Sequence, residues 1–142
     1  MKILLFIVTL VTSITTWAEN ILSPEAYPEE ICLAKNIYFE ARSSNFADKI
    51  ATADVVLNRV KDARYPNTIC GVVKQAKMSR WWKETHGKDI PIRHKCQFSW
   101  FCDGKPDVPR ERDAWVEAQR IAYIMVHTGN FVGITQGATH YH

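Results

Sequence analysis

The stretch "CLAKNIYFEARSS", from Cys32 to Ser44, determines how the rest of the chain is interpreted. On a helix, Leu33 and Ile37 lie on one apolar face, and Glu40 continues that face one turn further along. An acid placed on an apolar face loses hydration, which disfavours its charged form and raises its pKa. A carboxyl group that stays protonated near neutral pH can act as a general acid.

The same spacing also fits a structural role for this acid. Glu40 could form a salt bridge with Lys35 or Arg42, or it could face water at the edge of the helix. The catalytic interpretation favours a glycosidase, because cleavage of a glycosidic bond needs a proton on the leaving oxygen.

Residues 1–18 have the pattern of a secretory signal peptide. Lys2 gives a positive start, the run from Ile3 to Val11 is apolar, and Ala18 is a small residue after which cleavage is expected. The apolar run is about half of the ~20 residues needed to span a bilayer, so an uncleaved anchor is less favoured. We expect a secreted or periplasmic protein with no stable membrane insertion after cleavage.

The mature chain would have about 124 residues, enough for one domain with a modest core. The full sequence contains 18 Lys and Arg against 15 Asp and Glu, a net charge of +3. Loss of Lys2 with the signal peptide lowers this charge by one. So small a charge does not favour nucleic acid as a partner, and we expect no binding to it. We also expect a monomer.

Four cysteines remain in the mature chain, at Cys32, Cys70, Cys96 and Cys102. An even number in an exported protein favours two disulfides, for which three pairings are open. A zinc site is less favoured, because the chain has no CxxC pair and the gap from Cys96 to Cys102 exceeds that of a usual zinc knuckle.

Apolar periodicity predicts a mainly α (α+β) domain with a short β element, after an irregular lead over residues 19–29. Two apolar stripes carry this prediction, one in the second helix and one in the last: Ile50, Ala53, Leu57 and Val60, then Trp115, Ala118, Ala122 and Met125. The first three helices are expected from Glu29 or Glu30 to Arg42, from Phe46 to about Lys61, and from Asn67 or Thr68 to about Gln75. The last helix is expected to have its N-cap at Asp107, Pro109 in its first turn and its C-cap at Gly129.

Residues 76–107 have poor periodicity, and we expect long loops there with a short hairpin around "CQFSWFCDG", residues 96–104. Loops of that length usually carry function. Aromatic faces in this segment can stack on sugar rings, and its polar side chains can bind hydroxyls and amides, although core packing fits Trp100 equally well. The stretch "SRWWKETHGK", residues 79–88, is interpreted as a solvated, partly amphipathic surface. The candidate substrate-binding residues are Tyr38, Gln97, Phe98, Ser99, Trp100 and Asp103.

The tail "NFVGITQGATHYH", residues 130–142, alternates weakly and is expected to add a strand. On a strand, His140 and His142 point to one side and could ligate zinc together with Asp103. No HExxH motif supports such a site, so we expect no metal and no cofactor.

Six strings in this order resemble the SleB-like cell wall hydrolases, relatives of the spore cortex-lytic enzyme: "CLAKNIYFEAR", "IATADVVLNRV", "YPNTICGVVKQ", "CQFSWFCDGK", "AQRIA" and "GATHYH". The resemblance covers about residues 30–142, which we expect to form the catalytic domain. It implies a fold like a small lysozyme or lytic transglycosylase domain, with peptidoglycan glycan strands as substrate. The catalytic acid of that family falls on Glu40.

The resemblance implies cleavage of the β-1,4 bond between N-acetylmuramic acid and N-acetylglucosamine. A lytic transglycosylase uses one acid, which then acts as base while the muramoyl C6 hydroxyl closes a 1,6-anhydro ring. A hydrolase (muramidase or glucosaminidase) needs a second carboxylate, for which Asp103 is the candidate. We favour the transglycosylase.

The family pattern usually continues past "THYH", so the chain is expected to be shortened at its C-terminus. A wall-binding module without turnover is therefore the non-enzymatic alternative.

Overall fold

The computed structural model describes residues 19–141, so the predicted signal peptide and His142 lie outside the described residues. Within that range the elements, in chain order, are α1 (Pro28–Ala41), α2 (Phe46–Lys61), α3 (Ile69–Val73), β1 (Ala76–Met78), α4 (Arg80–His86), β2 (Pro91–Cys96), a 3-10 helix (Ser99–Cys102) and α5 (Arg112–Thr128). The prediction of a mainly helical domain with a small β element is confirmed. None of these helices combines the length and the apolar character needed to cross a membrane.

Helix α1 lies at the centre of the fold and packs against α2, α3 and α5. Leu33, Ala34 and Ile37 have no exposed surface, and the polar Asn36 is buried with them. A helix that is covered on most sides reaches solvent mainly at its ends. Glu40, in the last turn of α1, is accordingly exposed.

Helix α2 has the predicted bounds because its sequence contains both an N-cap residue and a regular apolar stripe. Asn45 is the N-cap, and its Oδ1 accepts a hydrogen bond from the backbone N–H of Asp48 at 2.9 Å. Ile50 and Ala53 of the predicted stripe are buried, and the remainder of the stripe, Leu57 and Val60, packs partly buried against the same core.

Helix α5 begins later than predicted. Its N-cap is Glu111, so the expected cap Asp107 lies four residues too early. The hydroxyl oxygen of Tyr38 accepts hydrogen bonds from the backbone N–H groups of Arg110 and Glu111, each at 3.1 Å, and these bonds hold the approach to α5 outside the helix. The predicted C-cap at Gly129 is confirmed, with a φ of 70°, and the predicted stripe Trp115, Ala118, Ala122 and Met125 is buried.

The segment expected to form long loops contains two strands and a helix instead. β1 and β2 pair antiparallel, with Ala76 opposite Cys96 and Met78 opposite Pro91, and α4 lies between them in the chain. The hairpin predicted around residues 96–104 is therefore wrong. That segment contains the 3-10 helix, which a disulfide between Cys96 and Cys102 joins to the end of β2.

The strand predicted in the tail is also wrong, because residues 130–137 form successive turns. Phe131, Gly133 and Gln136 have φ values of 65°, 90° and 55°. These values are left-handed, whereas an extended strand needs φ near −120°. The tail therefore folds back on itself against α2.

The two expected disulfides are present, and the structure selects one of the three pairings. Cys32–Cys70 joins α1 to α3 across a sequence separation of 38, whereas Cys96–Cys102 closes a separation of only 6. The first bridge therefore constrains a much longer loop of the unfolded chain.

The two bridges should differ in their contribution to stability. Replacing Cys32 and Cys70 by Ala should lower the free energy of unfolding by about 4 kcal/mol, against about 2 kcal/mol for Cys96 and Cys102, because loop-closure entropy grows with loop length. Urea denaturation of the two double variants measures both changes. Thiol titration of the unfolded, unreduced wild type should find almost no free thiol, and four free thiols would contradict the pairing.

Candidate active site

Glu40 lines a cleft of about 360 Å³ that lies between the end of α1, one side of α2 and the tail. The end of α1 and the loop after it contribute Glu40, Ala41 and Ser44. Helix α2 and the tail supply the other lining residues: Asp48, Ala51, Thr52, Val55, Thr135, Ala138, His140 and Tyr141. The cleft is therefore assembled from segments about a hundred residues apart in sequence.

The side chain of Glu40 is exposed, so the expectation of an acid buried on the apolar stripe of α1 needs correction. Protein nevertheless surrounds the carboxyl group closely enough to remove part of its hydration, and this burial raises the pKa of Glu40. The side chain as a whole is thus exposed, whereas its carboxyl group has lost part of its hydration. The group is accessible to a ligand, and its protonated form is favoured.

Of the two structural alternatives for Glu40, the described residues show no salt bridge, whereas the exposed side chain agrees with a position at the edge of the helix. Arg42 pairs with Glu111 at 3.0 Å, and between residues 19 and 141 neither Lys35 nor any other cation forms an ion pair with Glu40. A carboxyl group without a cation nearby has no charge partner that would lower its pKa. Burial therefore determines the direction of the shift.

The sequence interpretation missed Tyr141 and Asp48, which both line the cleft. Burial raises the pKa of Tyr141 to about 12, and the negative charge of Glu40 adds to that rise, which the amide of Asn36 partly offsets. The residue as a whole is 43% exposed, but the protein removes enough hydration from its hydroxyl to raise the pKa. This hydroxyl stays protonated near neutral pH and can donate a hydrogen bond. Within the string "GATHYH", the sequence pattern indicates only the two histidines as candidate site residues.

The carboxylate of Asp54, on α2, holds the turns of the tail. Its side chain has no exposed surface and accepts hydrogen bonds from Gly133 N–H at 2.7 Å, Thr135 N–H at 2.9 Å and Thr135 Oγ1 at 2.6 Å. Burial alone would raise the pKa of Asp54, but the hydrogen bonds from Thr135, Gly133 and Asn58 outweigh burial and lower it.

Two further α2 side chains continue this attachment towards the cleft. Asn58 Nδ2 donates to Thr135 Oγ1 and to the carbonyl of Ala138, both at 2.9 Å. Arg59 Nε donates to the carbonyl of Thr139 at 2.7 Å. Because Thr135 and Ala138 themselves line the cleft, these bonds fix one of its walls.

The predicted aromatic ligands Phe98 and Trp100 are buried and do not line the cleft. Trp100 Nε1 donates to Asn36 Oδ1 at 3.0 Å, and its ring stacks on Phe39 with centroids 4.8 Å apart. The guanidinium of Arg59 lies 5.2 Å from the ring centroid of Phe98. Both rings support the α1 and α2 residues beside the cleft.

The four polar candidates also lie elsewhere. Tyr38 is buried and binds the approach to α5, whereas Gln97 and Ser99 are exposed outside the cleft, Gln97 in a shallow groove beside β1 and β2. Asp103 Oδ1 accepts a hydrogen bond from Lys105 N–H at 2.8 Å and does not line the cleft. The structure thus brings none of the six predicted substrate-binding residues to the cleft of Glu40.

The histidine pair is only partly described, since His142 lies outside the described residues. His140 lines the cleft, and Asp103 does not. In the range 19–141, no three His, Cys, Asp or Glu side chains are grouped closely enough to hold a metal ion.

A family model described as cell wall hydrolase matches residues 43–142 of this sequence. The chain belongs to the cell wall hydrolase family. The matched segment includes α2 and the tail, which supply most of the cleft lining, and it begins three residues after Glu40.

Two proteins of Bacillus cereus, each named spore cortex-lytic enzyme, are 42% identical to the chain over 41 residues. The aligned segment is 29% of this chain and 16% of each relative. No solved structure matches the chain, so the likeness to lysozyme domains stays a prediction.

Replacing Asp54 by Asn should detach the tail. An amide cannot accept all three of the hydrogen bonds that the carboxylate accepts, and we expect a loss of about 1–3 kcal/mol in the free energy of unfolding at pH 7. Because folding lowers the pKa of Asp54, its contribution is complete above the unfolded pKa and is lost as the pH falls through the folded value.

Urea denaturation of wild type and Asp54→Asn at pH 7, and again below about pH 4, tests both statements. The difference between the two proteins should shrink at the lower pH. Asp113→Asn, a fully exposed carboxylate on α5, is the matched control and should change little. Equal stability of Asp54→Asn and wild type at pH 7 would contradict the role of Asp54.

Proposed function

We propose that this protein degrades peptidoglycan by cleaving the β-1,4 bond between N-acetylmuramic acid and N-acetylglucosamine, with Glu40 as general acid. The observation that carries the proposal is the state of Glu40. Its carboxyl group opens into a cleft, has no cation paired with it in the described residues, and has its pKa raised by burial. Membership of the cell wall hydrolase family supports the choice of substrate.

In the proposed reaction, protonated Glu40 donates its proton to the bridging oxygen as the glycosidic bond breaks. Positive charge develops at C1 of the muramic acid ring. The Glu40 carboxylate then takes the proton of the C6 hydroxyl, whose oxygen attacks C1 and closes the 1,6-anhydro ring. Glu40 is protonated again at the end, and no water is consumed. The hydroxyl of Tyr141 lines the same cleft and stays protonated near neutral pH, so it is available there as a hydrogen-bond donor.

The cause of the raised pKa of Glu40 supports a lytic transglycosylase. The two carboxyl groups of a glycoside hydrolase lie roughly 5–9.5 Å apart, where a second negative charge would add to the pKa of the acid. Burial is the cause of the raised pKa of Glu40, and no carboxylate between residues 19 and 141 adds to that rise. Asp103, the second carboxylate considered from the sequence, does not line the cleft.

A true hydrolase is the second candidate, and one observation favours it. Asp48, in the first turn of α2, lines the same cleft as Glu40. In a hydrolase this carboxylate would activate water or stabilise the oxocarbenium ion. The role considered for Asp103 therefore passes to Asp48 in this alternative.

We place the protein outside the cytoplasm, secreted or periplasmic, where its substrate occurs. Two disulfides in a domain of this size are typical of an oxidising compartment. We propose that it acts as a monomer on glycan strands.

Glu40→Gln should abolish lysis of purified peptidoglycan and leave the fold intact. The amide is nearly isosteric but cannot donate the proton, and general acid catalysis typically contributes roughly 10²–10⁴-fold. Because folding raises the pKa of Glu40, the ionised acid destabilises the protein above that pKa, so the variant should be at least as stable as wild type at pH 7.

Turbidity loss of sacculi and thermal unfolding are the two measurements for this variant. Glu25→Gln, an exposed acid hydrogen-bonded to Ser23, is the control and should keep full activity. More than about a tenth of wild-type activity in Glu40→Gln would reject Glu40 as the general acid.

The products distinguish the two candidate reactions. A transglycosylase should release anhydro-ended muropeptides about 18 Da lighter than the corresponding reducing ends, since water is not consumed. Mass spectrometry of digests by wild type, Asp48→Asn and Asp103→Asn gives the answer. We expect anhydro ends from all three proteins. Reducing ends from wild type, together with loss of activity in Asp48→Asn alone, would establish the hydrolase.

A further inference from the structure

The segment from β1 to β2, residues 76–96, carries an aromatic surface that the cleft does not use. No residue of α4 is buried, although this helix contains two tryptophans. Trp81 is 58% exposed and Trp82 is 37% exposed, and Met78 and Ile90 beside them are exposed as well. Large apolar side chains clustered at a surface mark an interaction site more often than isolated ones do. We refer to residues 76–96 as the basic aromatic segment.

Helix α4 is held in place by local hydrogen bonds. Ser79 caps α4 by accepting a hydrogen bond from Trp82 N–H, and Gly87 ends it with a φ of 64°. Ser79 N–H also donates to the carbonyl of Ile90 at 2.8 Å, which closes the base of the segment beside the two strands. The helix is therefore held by its caps and its base, while its side chains stay available.

The aromatic rings on α4 form one preformed group. Trp81 and Trp82 meet edge to face with centroids 5.0 Å apart, and His86 lies against both rings, 5.3 Å from Trp81 and 4.5 Å from Trp82. At 100° per residue these three residues fall on one half of the helix, and Lys83 and Glu84 fall on the other. Rings fixed in this way lose little side-chain entropy when a ligand stacks on them.

Positive charge is concentrated in the same segment. Residues 76–96 contain six Lys and Arg against two Asp and Glu, a net charge of +4, which exceeds the +3 of the whole chain. Both acids are paired within the segment, Asp89 with Lys83 and Glu84 with Arg80. The other four cations, Lys77, Lys88, Arg93 and Lys95, are exposed and form no ion pair in the described part of the chain.

We propose that the basic aromatic segment is a second binding surface for peptidoglycan, at which sugar rings stack on Trp81 and Trp82 while the stem-peptide carboxylates pair with the surrounding lysines. The proposal rests on the proposed function for the identity of the polymer. The choice of a charged glycan follows from the composition of the surface. Helix α4 has only seven residues. The face that contains its two tryptophans also contains His86 and the Thr85 hydroxyl, so it offers a lipid surface little continuous apolar area.

The surface is separate from the cleft. None of the residues that line the cleft comes from the basic aromatic segment. Contact with the wall at this surface would raise the local concentration of glycan strands at Glu40 without adding a catalytic group. Activity on insoluble wall and activity on short soluble fragments should therefore respond differently to its loss.

Co-sedimentation with insoluble sacculi tests binding directly, in the Glu40→Gln background so that the polymer is not consumed. We expect Trp81→Ala/Trp82→Ala to weaken binding about tenfold. Lys77→Gln/Lys95→Gln should weaken it less and reduce its salt dependence. Tyr123→Ala, an exposed aromatic residue on α5, is the matched control and should bind like the parent. Because α4 buries no residue, thermal unfolding should be unchanged in the tryptophan variant.

Activity and lipid binding complete the test. With Glu40 intact, the tryptophan variant should clear sacculi more slowly and cleave short soluble glycan fragments at the wild-type rate. Unchanged binding of that variant to sacculi would overturn the proposal, and so would loss of binding to vesicles of anionic phospholipid without loss of binding to sacculi. Failure of the proposed function would look different, because neither sacculi nor fragments would then be cleaved by wild type.

Discussion

The burial of α1 on most of its sides is the constraint on which the rest of the structure depends. Three other helices pack around it, and Leu33, Ala34 and Ile37 are completely enclosed. Apolar surface removed from water stabilises by roughly 25 cal/mol per Å², so this central position is where the fold gains most per residue. The same position dictates where the helix can present a polar group. Glu40 is accessible because it lies in the final turn, beyond the covering helices.

The chemistry proposed for Glu40 needs an intermediate environment. A fully enclosed carboxyl group could not reach a substrate, and a fully hydrated one would be ionised at neutral pH and unable to donate a proton. At the end of a buried helix, protein on one side raises the pKa and the cleft on the other side admits the ligand. The central packing of α1 thus both stabilises the fold and sets the raised pKa and the accessibility of Glu40.

The polar side of α2 completes the cleft from the opposite direction. Asp54, Asn58 and Arg59 together accept or donate bonds that fix the tail from Gly133 to Thr139. Buried polar groups are costly unless they are satisfied, so these side chains specify one conformation of the tail strongly. The tail in turn brings Tyr141 to the cleft, where its charge coupling with Glu40 arises. A segment with no regular secondary structure is in this way fixed by side-chain hydrogen bonds from α2.

The sequence by itself determined the features that neighbouring residues specify. The bounds of α2 follow from the Asn45 cap and a local apolar stripe, the C-cap at Gly129 from its conformational freedom, and the number of disulfides from the number of cysteines. Glu40 was singled out because a charge on an apolar helix face is a local anomaly. Each of these features can be predicted from residues about four positions apart or from the composition of the chain.

Only the tertiary structure decided the features that depend on distant partners. The start of α5 follows from the hydroxyl of Tyr38, more than 70 residues earlier, and the turns of the tail follow from Asp54, about 80 residues away. Phe98 and Trp100 were expected at the substrate because aromatic rings in a polar segment look the same whether they bind a ligand or fill a core. Their burial depends on Asn36, Phe39 and Arg59, which no local pattern connects to them. Local patterns fix helices and candidate acids, whereas the walls of a cleft are fixed by long-range hydrogen bonds and packing.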